Sequence, residues 1–478
     1  MRTATLGRER GWSPRPATMS RVPPMSRVPP AGRVPPAGRV LPARRTLTGV
    51  GRAFLPGLAA IALLGGLRPV PAAHDQTAAG PVRIFPAIRV AATSGPAGGL
   101  TPRQIRRAYD TGPLMSRGIV GKGQTIVIVD SFGSPTIKAD LAHFDRYFGL
   151  AAPPALQVIQ PAGRVPKYRP TADRTTWAAE TTLDVDWAHV IAPGARILLV
   201  ETPTAENEGT TGFPQIVTAE KYVLRHHLGQ VISQSFAATE QTFPSRAALL
   251  RLRGAYQLAA RDHVTTLAAT GDEGATGFKF NLTDLYTRRA VSWPATDPLV
   301  TSVGGTQLNV RANGSRRQAD VAWSGSGGGR SLFFARPSYQ GGVRAVTGGR
   351  RGVPDISMDA SCDSPVAIYA TYGGNDGPWS TICGTSVATP LMAGLVALAD
   401  QQAGRPLGQI NEALYAMAAA HDRGIVDIRR GSNTQTFFQD GRQYTVPGFA
   451  ARAGYDLVSG VGSVNAAYFV PELARLAR

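Results

Sequence analysis

This 478-residue chain reads as an α/β fold with a mostly parallel central sheet and helices on both faces. Two observations carry that reading: short, nearly continuous apolar runs that end in an acidic residue or a glycine turn, and helical stretches between them. A third consideration locates the chemistry, because in such a sheet reactive groups gather at the carboxyl ends of the strands.

The elements follow in order. "LTPRQIRRAYD", from Leu100, carries a Thr cap followed by Pro, which marks a helix start. "GQTIVIVDSFG" is a strand apolar on both sides, as a sheet covered on both faces requires, and it ends in Asp130. The same texture returns in "ARILLVE" (195–201), "GQVISQSF" (229–236) and "VTTLAATGDEG" (264–274). Between these runs, "TWAAETTLDVDWAHVIA" and "SRAALLRLRGAYQLAARD" are predicted helices. No second boundary interrupts residues 100–478, which read as one domain.

The net charge of +19 raises the question of a nucleic-acid partner, and its distribution argues against one. Residues 1–73 hold twelve Arg, no Lys and one acidic residue, Glu9; they account for +11 and leave +8 for the rest, without a dense basic block. Arg/Pro-rich repeats there precede an apolar core, Phe54–Leu67, and the small residues Ala72 and Ala73. That is the layout of a signal peptide behind a long basic leader, with Met19 or Met25 as alternative starts. The apolar run contains Pro56 and is shorter than the roughly 20 residues of a spanning helix, so no stable membrane insertion is expected after its removal. Export, an extracellular location and a monomer are the expectations. Residues 74–99 read as a flexible lead-in, too short for a folded prodomain. In an exported chain the two cysteines, Cys362 and Cys383, are expected to be bonded to each other, a cross-link worth about 3 kcal/mol on the chain-entropy estimate.

"CGTSVATP" (383–390) places Ser386 at a helix start behind a glycine turn, with its own N–H directed at a developing oxyanion. A lone Gly-Thr-Ser is more often a helix cap, so the partners decide. Subtilisin-like hydrolases present a nucleophile in this way, yet none of the seven histidines is followed by Gly, as a His-Gly-Thr turn would require. Glu180 and Asp184 stand four apart, on one face of a predicted helix, and no Lys or Arg lies between Ala178 and Pro193. A buried carboxyl pair shares a proton, which makes one member a usable general base for an alcohol. Asp186 falls off the Glu180 face and is expected to be structural or solvent-facing.

"ETTLDVDWAHVIAPGA", "VGGTQL", "WSGSGGGRS", "GVPDISMDA" and "CGTSVATP", in this order and at these separations, resemble the sedolisin family of serine-carboxyl peptidases. The resemblance runs from about Leu100 to Ala477. It implies a subtilisin-like fold with a Ser-Glu-Asp triad: Ser386 as nucleophile, Glu180 as general base and then acid, and Asp184 as the carboxyl group that orients Glu180. Asp272, in "AATGDEG", matches the oxyanion-hole aspartate; to donate a hydrogen bond it must be protonated, so activity is expected to fall as pH rises. Glu273 departs from the family's usual Ser and puts a carboxylate beside it. Asp130 is either an accessory member of the carboxyl chain or a plain turn residue.

On the substrate side, "SQSF" and "WSGSGGG" match segments that flank the family's peptide cleft. This implies Ser233, Ser235, Phe236, Ser326, Gly327 and Gly328 as substrate-binding residues, with Phe236 walling a pocket. The glycine run lacks the Lys-Ser/Thr ending of a phosphate loop, which argues against nucleotide binding. The resemblance also implies one structural Ca²⁺, held by the carboxylates of Asp427 and Asp456 and the carbonyls of Ile428, Arg452 and Gly454. Arg452 departs from the small residue usual there, and a metal-free turn is the alternative. The expected activity is an exported, acid-active serine-type endopeptidase acting through an acyl-enzyme on Ser386, with peptides or unfolded proteins as substrates. A tripeptidyl exopeptidase and a catalytically silent peptide-binding relative are the alternatives.

Overall fold

The computed structural model describes residues 89–91, 98–372 and 378–477. The chain divides into two units, Met1–Asp75 and Gln76–Arg478, and every described residue belongs to the second. The leader of residues 1–73 and most of the lead-in lie outside the described residues. Within the lead-in, β1 (Arg89–Ala91) is a strand, which corrects the expectation of a flexible segment at those three positions.

An eight-stranded sheet is built from β2 (Thr125–Ser131), β3 (Leu156–Ile159), β4 (Arg196–Thr202), β5 (Val231–Gln234), β7 (Thr265–Ala269), β9 (Thr301–Gln307), β10 (Val321–Ala322) and β13 (Ile356–Asp359). Its path is β10-β9-β7-β5-β2-β4-β3, with β13 also on β9. All pairs are parallel except β10 on β9. Four two-stranded ribbons stand apart among the described residues, two of them β6 (Ala238–Thr239) with β8 (Ser292–Trp293), and β11 (Gly329–Ala335) with β12 (Arg350–Val353), the latter joined through α8 (Arg344–Thr347).

The continuous apolar runs have a direct cause. In β2, Ile126 and Ile128 enter one hydrophobic core while Val127 and Val129 enter the other, so both sides of the strand need apolar residues. The first core takes residues from α1 (Pro102–Ala108), α2 (Gly112–Met115), α3 (Ile137–Phe148), α4 (Ala172–Ile191), α9 (Thr385–Ala403), α10 (Asn411–Ala419) and α11 (Ala466–Leu476). The second takes residues from α5 (Phe213–Arg225), α6 (Arg246–Leu250) and α7 (Gly254–Arg261). The helix expected over 245–262 is interrupted by a 3₁₀ turn at Arg251–Arg253. Gly254, a poor helix former, follows the turn, and a Cβ there would lie 2.5 Å from the Lys221 Nζ.

Two features position the chemistry. At Gly394 a Cβ would lie only 2.5 Å from the Ile191 Cβ, so glycine is what lets α9 approach α4 closely. A smaller sheet orders β1, β15 (Trp379–Cys383) and β14 (Val366–Tyr369), with Arg89 opposite Cys383. The Cys362–Cys383 disulfide is formed, with S–S 2.06 Å, and ties β15 to the loop after β13.

Candidate active site

β15 runs into Gly384, whose φ of 136° only glycine adopts easily, and α9 begins at Thr385. Ser386 therefore stands in the first turn of a 19-residue helix. Pro390 has no N–H to give the Ser386 carbonyl, the bond a helix would otherwise make. The Ser235 hydroxyl approaches that carbonyl at 3.5 Å instead, and the Ser386 hydroxyl lies 3.4 Å from the Ser235 carbonyl.

α4 brings Glu180 and Asp184 to this point, both fully buried. Burial raises the Glu180 carboxyl well above the usual range, and Asp184 and Asp130 add to the rise; the Ser386 hydroxyl faces it and favours the charged form. Asp184 is likewise raised by burial and then by Asp130, against the Ser235 and Glu180 hydrogen bonds. Ser235 Oγ donates to Asp184 Oδ1 at 2.8 Å. Asp130, at the end of β2, is pushed up to about 7 by burial, with Thr181 opposing and Glu201 adding. None of the ion pairs among the described residues involves these three carboxyl groups. Burial and mutual repulsion favour protons on this cluster.

Asp272 enters from the loop after β7. Its Oδ1 accepts the Thr385 N–H at 2.8 Å and the Thr385 hydroxyl at 2.9 Å, which pins it one residue from the serine. With Oδ1 committed as acceptor, a proton on this carboxyl belongs on Oδ2, where it can be donated. Glu273 Oε2 accepts the Asp272 N–H at 3.1 Å, so the departure from Ser places its carboxylate on the backbone of the Asp272 loop.

Several sequence expectations are corrected. Phe236 walls no pocket: it is fully buried in the second core, edge-on to Phe213 with ring centroids 6.0 Å apart. Ser233 sits inside β5 with no exposed surface. The Ser326 hydroxyl is spent bridging the Gly305 N–H (2.9 Å) and the Val458 carbonyl (2.8 Å). Gly327 and Gly328 turn their N–H groups to Gly271 and Gly274. A Cβ on Gly327 would lie 2.1 Å from the Thr270 carbonyl oxygen, so this glycine braces the Asp272 loop. The Ser235 hydroxyl lies between Asp184 Oδ1 (2.8 Å) and the Ser386 carbonyl (3.5 Å). Of the two alternatives for Asp186, the structural one holds: it is fully buried on α4, where burial, Asp145 and Asp140 raise it.

The sequence pattern of the "Subtilase family" matches residues 175–424, a span that includes Glu180, Asp184, Asp272 and Ser386. The chain belongs to that family, on its sedolisin branch. It is 30% identical to kumamolisin of Bacillus sp. (strain MN-32) over 375 residues, covering 76% of this chain and 61% of the relative. Identity to sedolisin of Pseudomonas sp. (strain 101) is 28% over 385 residues, covering 78% and 61%. Human tripeptidyl-peptidase 1 is 27% identical over 402 residues, covering 80% and 66%. The chain thus spans about three fifths of the length of the first two. Pseudomonas sedolisin, a serine-carboxyl proteinase solved with two molecules of pseudo-iodotyrostatin, superposes with a TM-score of 0.65 at 26% identity, over 80% of this chain and 99% of that one. The subtilisin-like architecture is thereby established for this sedolisin relative.

The five residues expected to hold calcium lie on two segments, 427–428 and 452–456, which the Gly454 N–H joins to Asp427. Asp456 Oδ2 accepts the Arg452 N–H at 2.9 Å, while Oδ1 takes Val458 and Ser459. Asp427 Oδ1 accepts the Gly454 N–H at 3.1 Å, and its Oδ2 pairs with Arg429 at 2.7 Å. Ile428 packs its side chain with Ala322, Ala451 and Val458. Among the described residues no donor is bonded to the Ile428, Arg452 or Gly454 carbonyl. Two carboxylates and three uncommitted carbonyls are a donor set that suits Ca²⁺.

Sequence reading passed over Arg351 and Asp355, a fully buried ion pair. It also passed over Glu201, although an acidic residue closing an apolar strand, as Asp130 does in β2, was the available signal.

Proposed function

We propose that this chain is an acid-active serine-carboxyl peptidase that hydrolyses peptide bonds through an acyl-enzyme on Ser386. One observation carries the reading: a buried Glu180–Asp184 pair, in no ion pair among the described residues, faces a serine at a helix N-terminus. Glu180 takes the Ser386 proton as the hydroxyl adds to the substrate carbonyl, then returns it to the leaving amine. A water proton follows the same route in deacylation. Asp184, held by Ser235, orients Glu180 and shares its proton. Protonated Asp272 and the Ser386 N–H stabilise the oxyanion. At low pH Glu180 is protonated and cannot accept; at high pH Asp272 and the pair lose the protons they must donate. Activity therefore peaks on the acid side.

Peptides or unfolded proteins are the proposed substrates and the extracellular space the proposed location; no helix among the described residues is long and apolar enough to cross a membrane. Ca²⁺ is proposed at the Asp427 and Asp456 carboxylates and the three free carbonyls, where it would add stability by binding the folded state. The test is an assay on denatured protein, from acid to neutral pH, of wild type, Ser386→Ala, Glu180→Gln and Asp184→Asn. The reading expects an acid-side maximum in wild type alone; a wild type inactive throughout would sink it. Cleavage of an N-terminally blocked peptide is the result expected of an endopeptidase, and refusal of it would favour tripeptidyl release.

A further inference from the structure

We propose that Glu201 is a positioning residue for the reaction, the outer member of a carboxyl chain Glu201–Asp130–Asp184–Glu180 that ends on Ser386, and that it governs the upper pH limit of turnover. The inference rests on the peptidase reading above and extends the acid–base system beyond its triad.

The placement is geometric. Asp130 and Glu201 are register partners on the parallel strands β2 and β4, so their side chains leave the sheet on the same side. Both are buried. The turn after β2 is shaped to receive Glu201: Gly133 has φ +69°, and a Cβ there would lie 1.9 Å from Glu201 Oε1. Gln160 Nε2 holds the other oxygen at 2.7 Å. From α4, the helix that carries Glu180 and Asp184, Arg174 reaches back toward Glu201 and favours its charge. The Arg174 guanidinium stacks 4.0 Å over the Phe132 ring and lines a cavity of about 640 Å³ with Lys167 and Arg169. The buried chain thus begins beside a basic cavity and ends at the nucleophile.

The titratable and charged groups acting on Asp130 are Glu201 from β4 and the Glu180 and Asp184 carboxyls from α4; Thr181 is a neutral partner. Those on Glu201 are Asp130 and Arg174, with Gln160 neutral. Burial raises Glu201, while the Gln160 hydrogen bond and Arg174 favour its charged form. Its charge then resists ionisation of Asp130. Asp130 keeps its proton to higher pH and so adds no negative charge beside Asp184 and Glu180, whose own ionisation its charge would alter.

The experiment compares kcat/KM against pH for wild type, Glu201→Gln and Arg174→Gln on denatured protein. In parallel, the carboxyl-stretch infrared difference between each background and its Asp130→Asn version follows the Asp130 proton. In Glu201→Gln the falling limb and the Asp130 titration should both move about one unit toward acid, and in Arg174→Gln by less in the same direction. Unmoved Asp130 titration in both variants overturns the inference, as does a titration that moves while the limb stays. Arg174→Gln serves if Glu201→Gln does not fold. Inactivity of wild type at every pH would defeat the peptidase reading, and the infrared titration would still decide the coupling between Glu201 and Asp130.

Discussion

Two buried polar nests share the fold, and one of them has a cation. Around Asp355 the carboxylate takes Arg351 Nη1 at 2.6 Å, the Ser302 N–H and hydroxyl at 2.8 Å each, and the Tyr415 hydroxyl at 2.9 Å. Around Ser386 the carboxyl groups of Glu180, Asp184 and Asp130 meet hydroxyls and one another. Both nests are withdrawn from water, so each must cancel its charge. The first does so permanently with Arg351 and serves the fold. The second does so with protons, which move, and that is what fits it for catalysis in acid.

The comparison breaks first where the chemistry is removed. Ser386→Ala should lower kcat/KM by roughly 10⁴-fold or more while leaving thermal stability near wild type, because a buried hydroxyl makes few contacts. Next comes the cationic nest: Arg351→Met should cost about 3–5 kcal/mol in chemical denaturation, since it leaves a buried carboxylate uncompensated. A loss under 1 kcal/mol would mean that the pair contributes little.

A third test isolates the proton rule away from the active site. Glu220 is fully buried on α5, and burial alone raises it to about 8. A carboxyl raised on folding stabilises fully below its unfolded value and loses that contribution as pH rises toward the folded one. The affected window runs from the ordinary carboxylate range to about 8. Relative to wild type, Glu220→Gln should gain roughly 1–3 kcal/mol between pH 4 and pH 7, read by urea denaturation at both. Equal shifts at the two pH values would contradict it.

The smaller effects concern packing. Gly394→Ala pushes α9 from α4 and should cost about 1–3 kcal/mol, with a loss of activity because Glu180 and Ser386 ride on those helices. Phe236→Leu should cost about 1 kcal/mol without changing KM, as a core residue would and a pocket wall would not.

How much of this was legible in the sequence depended on range. β2, β4, β5, β7 and the helices bearing Glu180 and Ser386 were readable, because their composition answers to local geometry and to burial on both faces. The proposed triad of Ser386, Glu180 and Asp184 came from the family resemblance, which fixes the three positions jointly. Residues tied to distant partners were not. The fate of Ser326 depends on Val458, and that of Phe236 on Phe213; neither contact leaves a mark on local pattern. Arg351 and Asp355 are four apart, and their burial, which spacing does not encode, is what makes them a structural pair.

The central claim is that a carboxyl pair, without histidine, activates Ser386. The most direct measurement is acylation itself: wild type and Glu180→Gln are mixed with an activated peptide ester at acidic pH, quenched in acid within one turnover, and weighed intact. The account predicts an acyl adduct on Ser386 in wild type and a rate lower by roughly 10³-fold or more in Glu180→Gln. Equal acylation rates in the two proteins would contradict it.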